Sequence, residues 1–349
     1  MAEIIPVTEF PDYAVDPTGG DPLTHDLNAP YDKGDLCWVL VCTIFCWQIT
    51  PAIGFLLAHW EWNPSGWLYN LGLYDFAGSG PVHIASGFGS LAWSMMLGPR
   101  LSDDAVTKKK YAPHFKPHNP LLMVLGTVLI WFGWFAFNGA STANLSLRSI
   151  YVVVNTNFAA CGGGITWVLL DYFYIKKFSL VGFCSGIIAG LVGITPAAGF
   201  AICSYYTVKY QYLFRVDDGL DIFAIHGVGG YVGDILTGLF AHKMVPALDG
   251  VSNTYDGGWW NGNFRQLGLQ LAGGTTCAAW SFFVSCILLF VINRIPGCHL
   301  RATEEDEIRG LDYAYIEDAI SDYDHGDLFI HNGQVVDSPP RETSVSKSA

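Results

Sequence analysis

The chain has 349 residues, of which 51% are hydrophobic and 14% are charged, and its mean hydropathy is +0.31. Soluble proteins carry about 25% charged residues, so this composition excludes an ordinary water-soluble protein. The formal net charge is −13, and this acidic surplus excludes nucleic acid and anionic lipid headgroups as charge-bound partners, because it repels both.

The acidic residues lie mainly at the two ends of the chain. Residues 1–35 hold eight acids and one lysine, and residues 301–349 hold twelve acids and four bases. The apolar middle is nearly balanced in charge. We therefore predict an acidic N-terminal segment over 1–34, a membrane domain over 35–295 and an acidic tail over 296–349.

The middle of the chain contains several apolar stretches of the length that a bilayer requires. A helix needs about 20 predominantly apolar residues to cross the hydrocarbon core. These stretches predict an all-α fold, a polytopic bundle of transmembrane helices that pack through abundant small residues. The predicted spans are, in chain order, 36–58, 79–98, 120–140, 150–174, 179–199, 219–241 and 266–295, with a shorter Tyr-rich apolar piece over 201–214.

Two histidines lie inside these predicted spans, His83 in the second and His226 in the sixth. Neither has a charged residue within four positions. An ionisable group is costly inside a bilayer and is usually kept there for a pathway, a relay or a cofactor. We therefore expect the two imidazoles to face one conduit.

Lysine and arginine in short loops predict which side of the membrane each loop faces, because positive charge is retained in the cytosol. By this rule the loops that contain Trp62–Tyr74 and Pro246–Arg265 face outside, and the C-terminal tail is cytosolic. The basic residues that support this assignment are Arg100, Lys108, Lys109, Lys110, Lys116, Lys176, Lys177, Lys209, Arg215, Arg294 and Arg301.

Five segments together resemble the signature segments of the ammonium transporter (Amt/Mep/Rh) family. They are DFAGSGPVHIASGF (75–88), GWFAFNGAS (133–141), CSGIIAGLVGITPAAG (184–199), RVDDGLDIFAIHGVGG (215–230) and RATEEDEIRGLD (301–312). The tryptophan-rich NPSGWLY and DGGWWN loops resemble those of the fungal Mep branch. The match runs from about Gly34 to about Asp312 in the family's order.

This resemblance implies a transporter of ammonium or ammonia, with methylammonium as an analogue. It implies a homotrimer in the plasma membrane, in which each subunit has its own narrow hydrophobic pore. The substrate is recruited at an outer vestibule, where Trp62 matches the vestibule tryptophan and Asp75 matches the acid that supports the bound cation. Trp134 and Ser141 match residues that line the recruitment site.

The resemblance also implies the pore residues. His83 and His226 match the twin histidines, which we interpret as a proton relay, and Phe137 matches one of two stacked phenylalanines that gate the pore. An imidazole can take up and return a proton near neutral pH, so two of them suit a pore that passes neutral ammonia.

The chain departs from the family's pattern in length. The family has eleven spans, whereas we count about seven or eight here by the length that a span requires. The first span joins LAHWEWNPSGWLY, which resembles the end of the family's fourth span, so roughly a hundred residues, enough for three spans, are absent there. A second gap follows residue 200. No candidate for the second gate phenylalanine remains, and we interpret the chain as a family member with internal deletions.

Other functions stay open beside transport. One is a non-conducting or regulatory sensor variant of an ammonium transporter, and another is a membrane oxidoreductase whose haem the two histidines ligate. The sequence has no nucleophile–base pair, phosphate-binding loop or metal-ligand spacing, so we expect no enzyme, no metal and no cofactor. The nine cysteines are spaced as single residues, which predicts no disulfide.

Several site residues also have plain structural interpretations. Trp134 could be simple core, and the Ser141 hydroxyl could bond a backbone carbonyl of its own helix. Asp75 could cap the helix that carries His83. Asp234 lies inside a predicted span and has no assigned role, and we expect it to face another helix or the outer vestibule.

Overall fold

A computed structural model describes residues 54–99, 119–196, 202–210, 216–250 and 255–303, together with two short strands near the C-terminus. The α-helices are α1 Gly54–Trp62, α2 Trp67–Leu71, α3 Ala85–Leu97, α4 Pro120–Ala140, α5 Leu147–Ile175, α6 Leu180–Ile194, α7 Ile202–Tyr210, α8 Gly229–Phe240 and α9 Phe264–Ile292. Two π-helical turns lead directly into α3 and α8, and we call them the first π-turn, Ser79–Ile84, and the second π-turn, Phe223–Val228. Short 3₁₀ turns cover Pro246–Asp249 and Trp259–Asn261.

The described part of the chain confirms the predicted all-α membrane fold. Four helical stretches are long and apolar enough to cross a membrane, namely Pro120–Ala140, Leu147–Ile175, Phe223–Phe240 and Phe264–Ile292. The first π-turn and α3 together cover most of the predicted span 79–98, and α6 is shorter than the predicted span 179–199 because it ends at Ile194. These helices belong to one bundle of apolar spans, as the hydropathy pattern predicts.

Some predictions fall on residues outside the described part. The acidic segment 1–34 lies there, as does the predicted first span except for its last residues, which begin α1. The basic residues between 100 and 116 and Arg215 also lie outside it. Within the predicted tail, strands β1 Leu328–His331 and β2 Gln334–Asp337 form an antiparallel hairpin, which the sequence pattern does not predict.

Local side-chain signals begin the long helices. Asn119 accepts hydrogen bonds from the amides of Leu121 and Leu122, and Pro120 occupies the first turn of α4, where a missing N–H is tolerated. The Ser149 hydroxyl accepts a hydrogen bond from the Ser146 amide at 3.2 Å at the start of α5. Such caps satisfy amides that have no partner within the helix, which a helix needs all the more near lipid.

Helices α5 and α6 pack closely because glycines face each other across their interface. A Cβ added at Gly163 would overlap the carbonyl oxygen of Gly186, and one added at Gly190 would overlap the carbonyl of Ala159. Lipid supplies no hydrophobic drive between helices, so close backbone approach of this kind is the means by which they associate. The abundance of small residues in the predicted spans therefore has the expected structural role.

The interior and exterior of the bundle differ in side-chain type. Trp134, Trp167 and Leu191 belong to one buried cluster between α4, α5 and α6. Large apolar side chains such as Leu121, which is 76% exposed, and Phe158, which is 68% exposed, point outward. An apolar surface of this extent is stable only against lipid or another apolar surface, which agrees with a membrane protein.

Candidate functional site

His83 and His226 are in direct contact although 143 residues separate them in the chain. Their Nδ1 atoms lie 3.1 Å apart, and their ring centroids lie 5.3 Å apart with the planes inclined by 28°. His83 is buried with 1% of its surface exposed, and the Nε2 atom of its ring has no hydrogen-bond partner among the described residues. The two imidazoles thus form one pair inside the bundle.

Both histidines lie on π-helical turns that precede an α-helix. His83 is the fifth residue of the first π-turn, and His226 is the fourth residue of the second. A π-turn inserts a residue into helical structure and re-aims the side chains that follow, and such turns occur often at functional sites. Here the two turns direct the imidazoles at each other.

Glycines allow the two histidine-bearing segments to approach. A Cβ added at Gly87 would overlap the amide nitrogen and Cα of Gly227, so the two backbones touch at this crossing. A Cβ added at Gly230 would lie 3.1 Å from the Cβ of His83, which is closer than ordinary contact. The absence of side chains at these positions sets the distance between the imidazoles.

Aromatic rings of α4 cover the histidine pair on one side. Trp134 stacks on His83 with ring centroids 5.1 Å apart and planes inclined by 11°, and it also faces His226 at 6.4 Å. Phe137 lies 5.9 Å from His83 and packs edge-on against Trp134 at 5.8 Å. The indole Nε1 donates to the Thr195 hydroxyl at 3.0 Å, which fixes the orientation of the stacked ring.

Phe137, the predicted gate, contacts His83 and, within the part of the chain that the structure describes, no second phenylalanine. Among the described residues, the ring partners of Phe137 are His83 and Trp134. This agrees with the absence of a second gate candidate in the sequence. Phe137 therefore lines one side of the histidine pair through its contact with His83.

Asp75 caps the turn that carries His83. Its Oδ1 accepts hydrogen bonds from the amides of Gly78 and Ser79, and its Oδ2 accepts one from the amide of Gly80. The indole Nε1 of Trp62 donates to the backbone carbonyl of Asp75 at 2.9 Å, and 41% of the Trp62 surface is exposed. The structural interpretation of Asp75 as a cap is thus confirmed. Its side-chain carboxylate binds the turn that carries His83, and its backbone carbonyl binds Trp62.

A second aspartate occupies the equivalent place before His226. Asp218 precedes His226 by eight positions, as Asp75 precedes His83, and its Oδ2 accepts from the Phe223 amide at 2.7 Å. Partial burial raises the pKa of Asp218, while its hydrogen bond to Phe223 opposes that rise. Both histidine-bearing turns therefore begin on a carboxylate cap.

Ser141 lies apart from the histidine pair. It is the C-terminal cap of α4, one turn beyond Phe137, and its hydroxyl donates to the Phe137 carbonyl at 2.9 Å. This is the backbone bond that the plain structural interpretation of Ser141 predicts. The hydrogen bonds and ring contacts of the described residues join Ser141 neither to Trp62 nor to Trp134. The structure thus brings together His83, His226, Trp134 and Phe137, and separately Trp62 and Asp75.

Two acids near Asp75 extend this region, and sequence reasoning missed one of them. Asp234 is 4% exposed and interacts with Ser79, and its Oδ2 lies close to Gly274 of α9, so it faces another helix as expected. Glu61 is 3% exposed and was not among the predicted site residues. The sequence signal that could have identified Glu61 is an ionisable residue at the end of an apolar stretch, directly before Trp62.

The geometry of the pair argues against haem ligation. A metal between two imidazoles stands about 2 Å from each nitrogen, which needs a nitrogen separation of about 4 Å. The Nδ1 atoms lie 3.1 Å apart, a hydrogen-bond distance that leaves no room for iron between them. No group of three or more metal-ligating side chains with suitable geometry occurs in the part of the chain that the structure describes.

Comparison with known proteins identifies close relatives. A family model described as Ammonium Transporter Family matches residues 35–320. Ammonium transporter 1 of Schizosaccharomyces pombe is 48% identical over 299 residues, which cover 82% of this chain and 58% of that protein. Ammonium transporter MEP2 of Saccharomyces cerevisiae is 46% identical over 276 residues, which cover 74% of this chain and 54% of that protein.

A solved structure is similar as well. The crystal structure of Candida albicans Mep2 matches with a TM-score of 0.69 and 43% sequence identity, and the match covers 84% of this chain and 67% of that chain. The chain therefore spans little more than half the length of the two curated relatives named above.

Proposed function

The chain belongs to the ammonium transporter family, a family of transporters and not of enzymes, and on that basis we propose that it conducts ammonium or ammonia across a membrane. Its pore is lined by His83 and His226. The observation that carries the proposal is the direct 3.1 Å contact between the two imidazoles on helices of an apolar bundle.

The chemistry of this site suits a neutral guest. Bringing a bare cation into an apolar interior costs several kcal/mol or more, and an aromatic face returns only about 0.5–2 kcal/mol of that. Ammonium therefore gives up its proton before it enters, and ammonia passes as a neutral molecule. Sodium and potassium have no proton to give up, which accounts for selectivity without a charged filter.

The histidine contact defines which protons the pair can hold. One Nδ1 must carry a proton and the other must accept it, because two protonated or two bare nitrogens at 3.1 Å would not bond. The ring whose Nδ1 accepts then carries its proton on Nε2. His83 has a buried Nε2 without a described partner, and this atom is suited to meet the guest. When ammonium gives a proton to the bare Nε2 of one ring, the Nδ1 proton of that ring shifts to its partner and the partner's Nε2 returns a proton to ammonia. The two rings have then exchanged roles, and this sequence is the relay.

Recruitment takes place outside the pair. Trp62 offers an exposed indole face for a cation. Its indole Nε1 donates to the backbone carbonyl of Asp75, and the side-chain carboxylate of Asp75 makes the local potential negative. Trp134 and Ser141 line the inner end of this approach, and Phe137 forms the gate above the histidines. The roles of Trp62, Asp75, Trp134 and Phe137 rest on motif similarity together with the contacts of these residues. The role of Ser141 rests on motif similarity alone.

We further propose the cellular setting that the family resemblance implies. The domain over 35–295 lies in the plasma membrane, the tail 296–349 lies in the cytosol, and three copies of the chain associate, each with its own pore. A regulatory variant that does not conduct is the alternative that the uptake experiment separates from this proposal.

Uptake of labelled methylammonium into cells that lack their own ammonium transporters tests the proposal. Cells that express the chain at the plasma membrane should take up the label faster than vector-only cells, and unlabelled ammonium should compete. A H242A variant, altered at an exposed histidine outside the pair, serves as the matched control and should behave as the unaltered chain. Surface expression without uptake would overturn conduction and favour the regulatory alternative.

A further inference from the structure

Glu61 is a buried acid that the proposed transport mechanism does not use. It lies near the end of α1, immediately before Trp62, and only 3% of its surface is exposed. Its Oε1 accepts a hydrogen bond from the Cys277 thiol of α9 at 2.9 Å. Its Oε2 is buried and receives no donor from the described residues. A buried carboxylate left with one weak donor is strongly destabilised, so this side chain needs a further explanation.

The groups that surround Glu61 are acidic. Its carboxyl lies against Gly80, where an added Cβ would overlap it, and the Gly80 amide donates to Asp75 Oδ2 at 3.0 Å. The two carboxyls are therefore side by side, with Asp234 as a further acidic neighbour. None of these three acids forms an ion pair with a basic side chain among the residues that the structure describes. Two carboxylates are both acceptors and repel each other, so the contact between Glu61 and Asp75 requires a proton on one of them.

The donors around the two carboxyls decide where that proton resides. Asp75 accepts three backbone N–H bonds through its two oxygens, which stabilises its ionised form. Glu61 accepts a single bond from a thiol, a weak donor. The negative charge therefore belongs on Asp75 and the proton on Glu61.

We propose that Glu61 is a neutral carboxylic acid that donates a hydrogen bond to the Asp75 carboxylate and positions it for capping the first π-turn. Through Asp75 it supports the turn that carries His83 and the backbone carbonyl that holds Trp62. Glu61 is thus a positioning residue for both the recruitment site and the histidine pair. Only its effect on transport depends on the proposed function; its protonation does not.

The packing around Glu61 leaves space for its carboxyl beside that of Asp75. A Cβ added at Gly80 would overlap the Glu61 carboxyl, so glycine at this position leaves the space that the acid fills. The Gly80 amide is one of the three donors to Asp75. The same residue therefore binds one carboxylate through its backbone and admits the second carboxyl beside it.

Difference infrared spectroscopy on the purified full chain tests the protonation directly. Because an un-ionised carboxyl has its own C=O stretching band, the unaltered protein should show one that E61Q removes. C277A should shift that band, because it deletes the thiol that donates to Oε1. If E61Q fails to assemble, the shift in C277A alone decides the matter. A spectrum without a carboxylic-acid band that responds to either change would overturn the proposal.

Transport variants test the positioning role. E61Q keeps a neutral N–H donor of similar size and should keep methylammonium uptake within about twofold of the unaltered chain. E61A removes the donor and should lower uptake about tenfold, and E61D should not restore it because the shorter side chain falls short of Asp75. Equal losses in E61Q and E61A would overturn the assignment of Glu61 as a neutral donor. If neither the unaltered chain nor any variant takes up methylammonium, the proposed function is overturned, whereas the infrared test of Glu61 protonation still holds.

Discussion

Gly87 of α3 and Gly227 of the second π-turn touch through their backbones. A Cβ at Gly87 would overlap the amide nitrogen and Cα of Gly227, whereas a Cβ at Gly227 would stand 3.3 Å from the backbone of Gly87. The crossing therefore leaves more room for a side chain at Gly227 than at Gly87. Because His83 and His226 lie on the two segments that cross here, their contact depends on it.

The asymmetry predicts different outcomes for two alanine substitutions. G87A should separate the segments, weaken the histidine contact and destabilise the protein by about 1–3 kcal/mol, the usual cost of overpacking. G227A should cost less, because its new methyl meets neighbours that need to yield only slightly. Thermal unfolding of both variants in detergent and their methylammonium uptake provide the measurements. Equal behaviour of the two variants would contradict the asymmetry of this crossing.

Removal of either imidazole should impair discrimination between guests. H83A and H226A each delete one member of the proposed relay, and we expect the ratio of methylammonium to potassium uptake to fall about tenfold or more, which corresponds to about 1.4 kcal/mol of lost discrimination. Uptake assays with both ions, in parallel with H242A, check this. Unchanged ratios in both variants would count against the relay.

The hydrogen bond between Trp134 and Thr195 predicts a stability effect. T195V keeps the shape of the side chain but leaves the indole Nε1 of Trp134 buried without an acceptor, which should cost about 1–3 kcal/mol. W134F removes the indole donor itself and retains a ring against His83. The double variant T195V/W134F should therefore lose less than the sum of the two single changes, as unfolding midpoints would reveal. Strict additivity would mean that the bond contributes nothing.

Asp218 predicts a pH dependence of stability. Burial raises its pKa in the folded protein above the value of about 3.9 in an unfolded chain, so the folded state holds the proton more tightly. The unaltered protein should therefore lose stability relative to D218N as pH rises from about 3.9 through the folded pKa, with no further change above it. Unfolding midpoints of both proteins across this window measure the effect. D256N, at an exposed aspartate, is the control. A difference that runs in the opposite direction would show that the amide bonds to Asp218 outweigh its burial.

The hydrogen bond from Trp62 to the Asp75 backbone predicts a change in substrate recruitment. W62F retains an aromatic face but loses the Nε1 donor, so the ring is no longer held beside Asp75 by this hydrogen bond. We expect the concentration of methylammonium at half-maximal uptake to rise a few-fold, the range of one hydrogen bond of about 0.5–1.5 kcal/mol. W260F, at a tryptophan that is 79% exposed, should leave this concentration unchanged. An equal rise in W260F would assign the effect to the aromatic surface in general.

The amino-acid sequence by itself determined the class of the protein and most of its helices. Apolar length is a local property, since about 20 residues suffice to cross a bilayer, and the predicted span 120–140 coincides with α4. The histidines were also conspicuous locally, because ionisable groups are rare in such stretches. The caps at Asp75 and Asp218 lie within eight residues of the turns that they begin, and both were within reach of local reasoning.

Only the tertiary structure decided how these elements meet. The contact between His83 and His226 joins residues 143 positions apart, and it depends on the crossing at Gly87 and on two π-turns that no hydropathy pattern distinguishes from α-helix. The proposed role of Glu61 also depends on tertiary structure, because Asp75 and Cys277, which surround its carboxyl, are distant from it in the sequence. Periodicity and composition report which residues avoid water, whereas the protonation of a buried acid depends on the donors that folding brings to it.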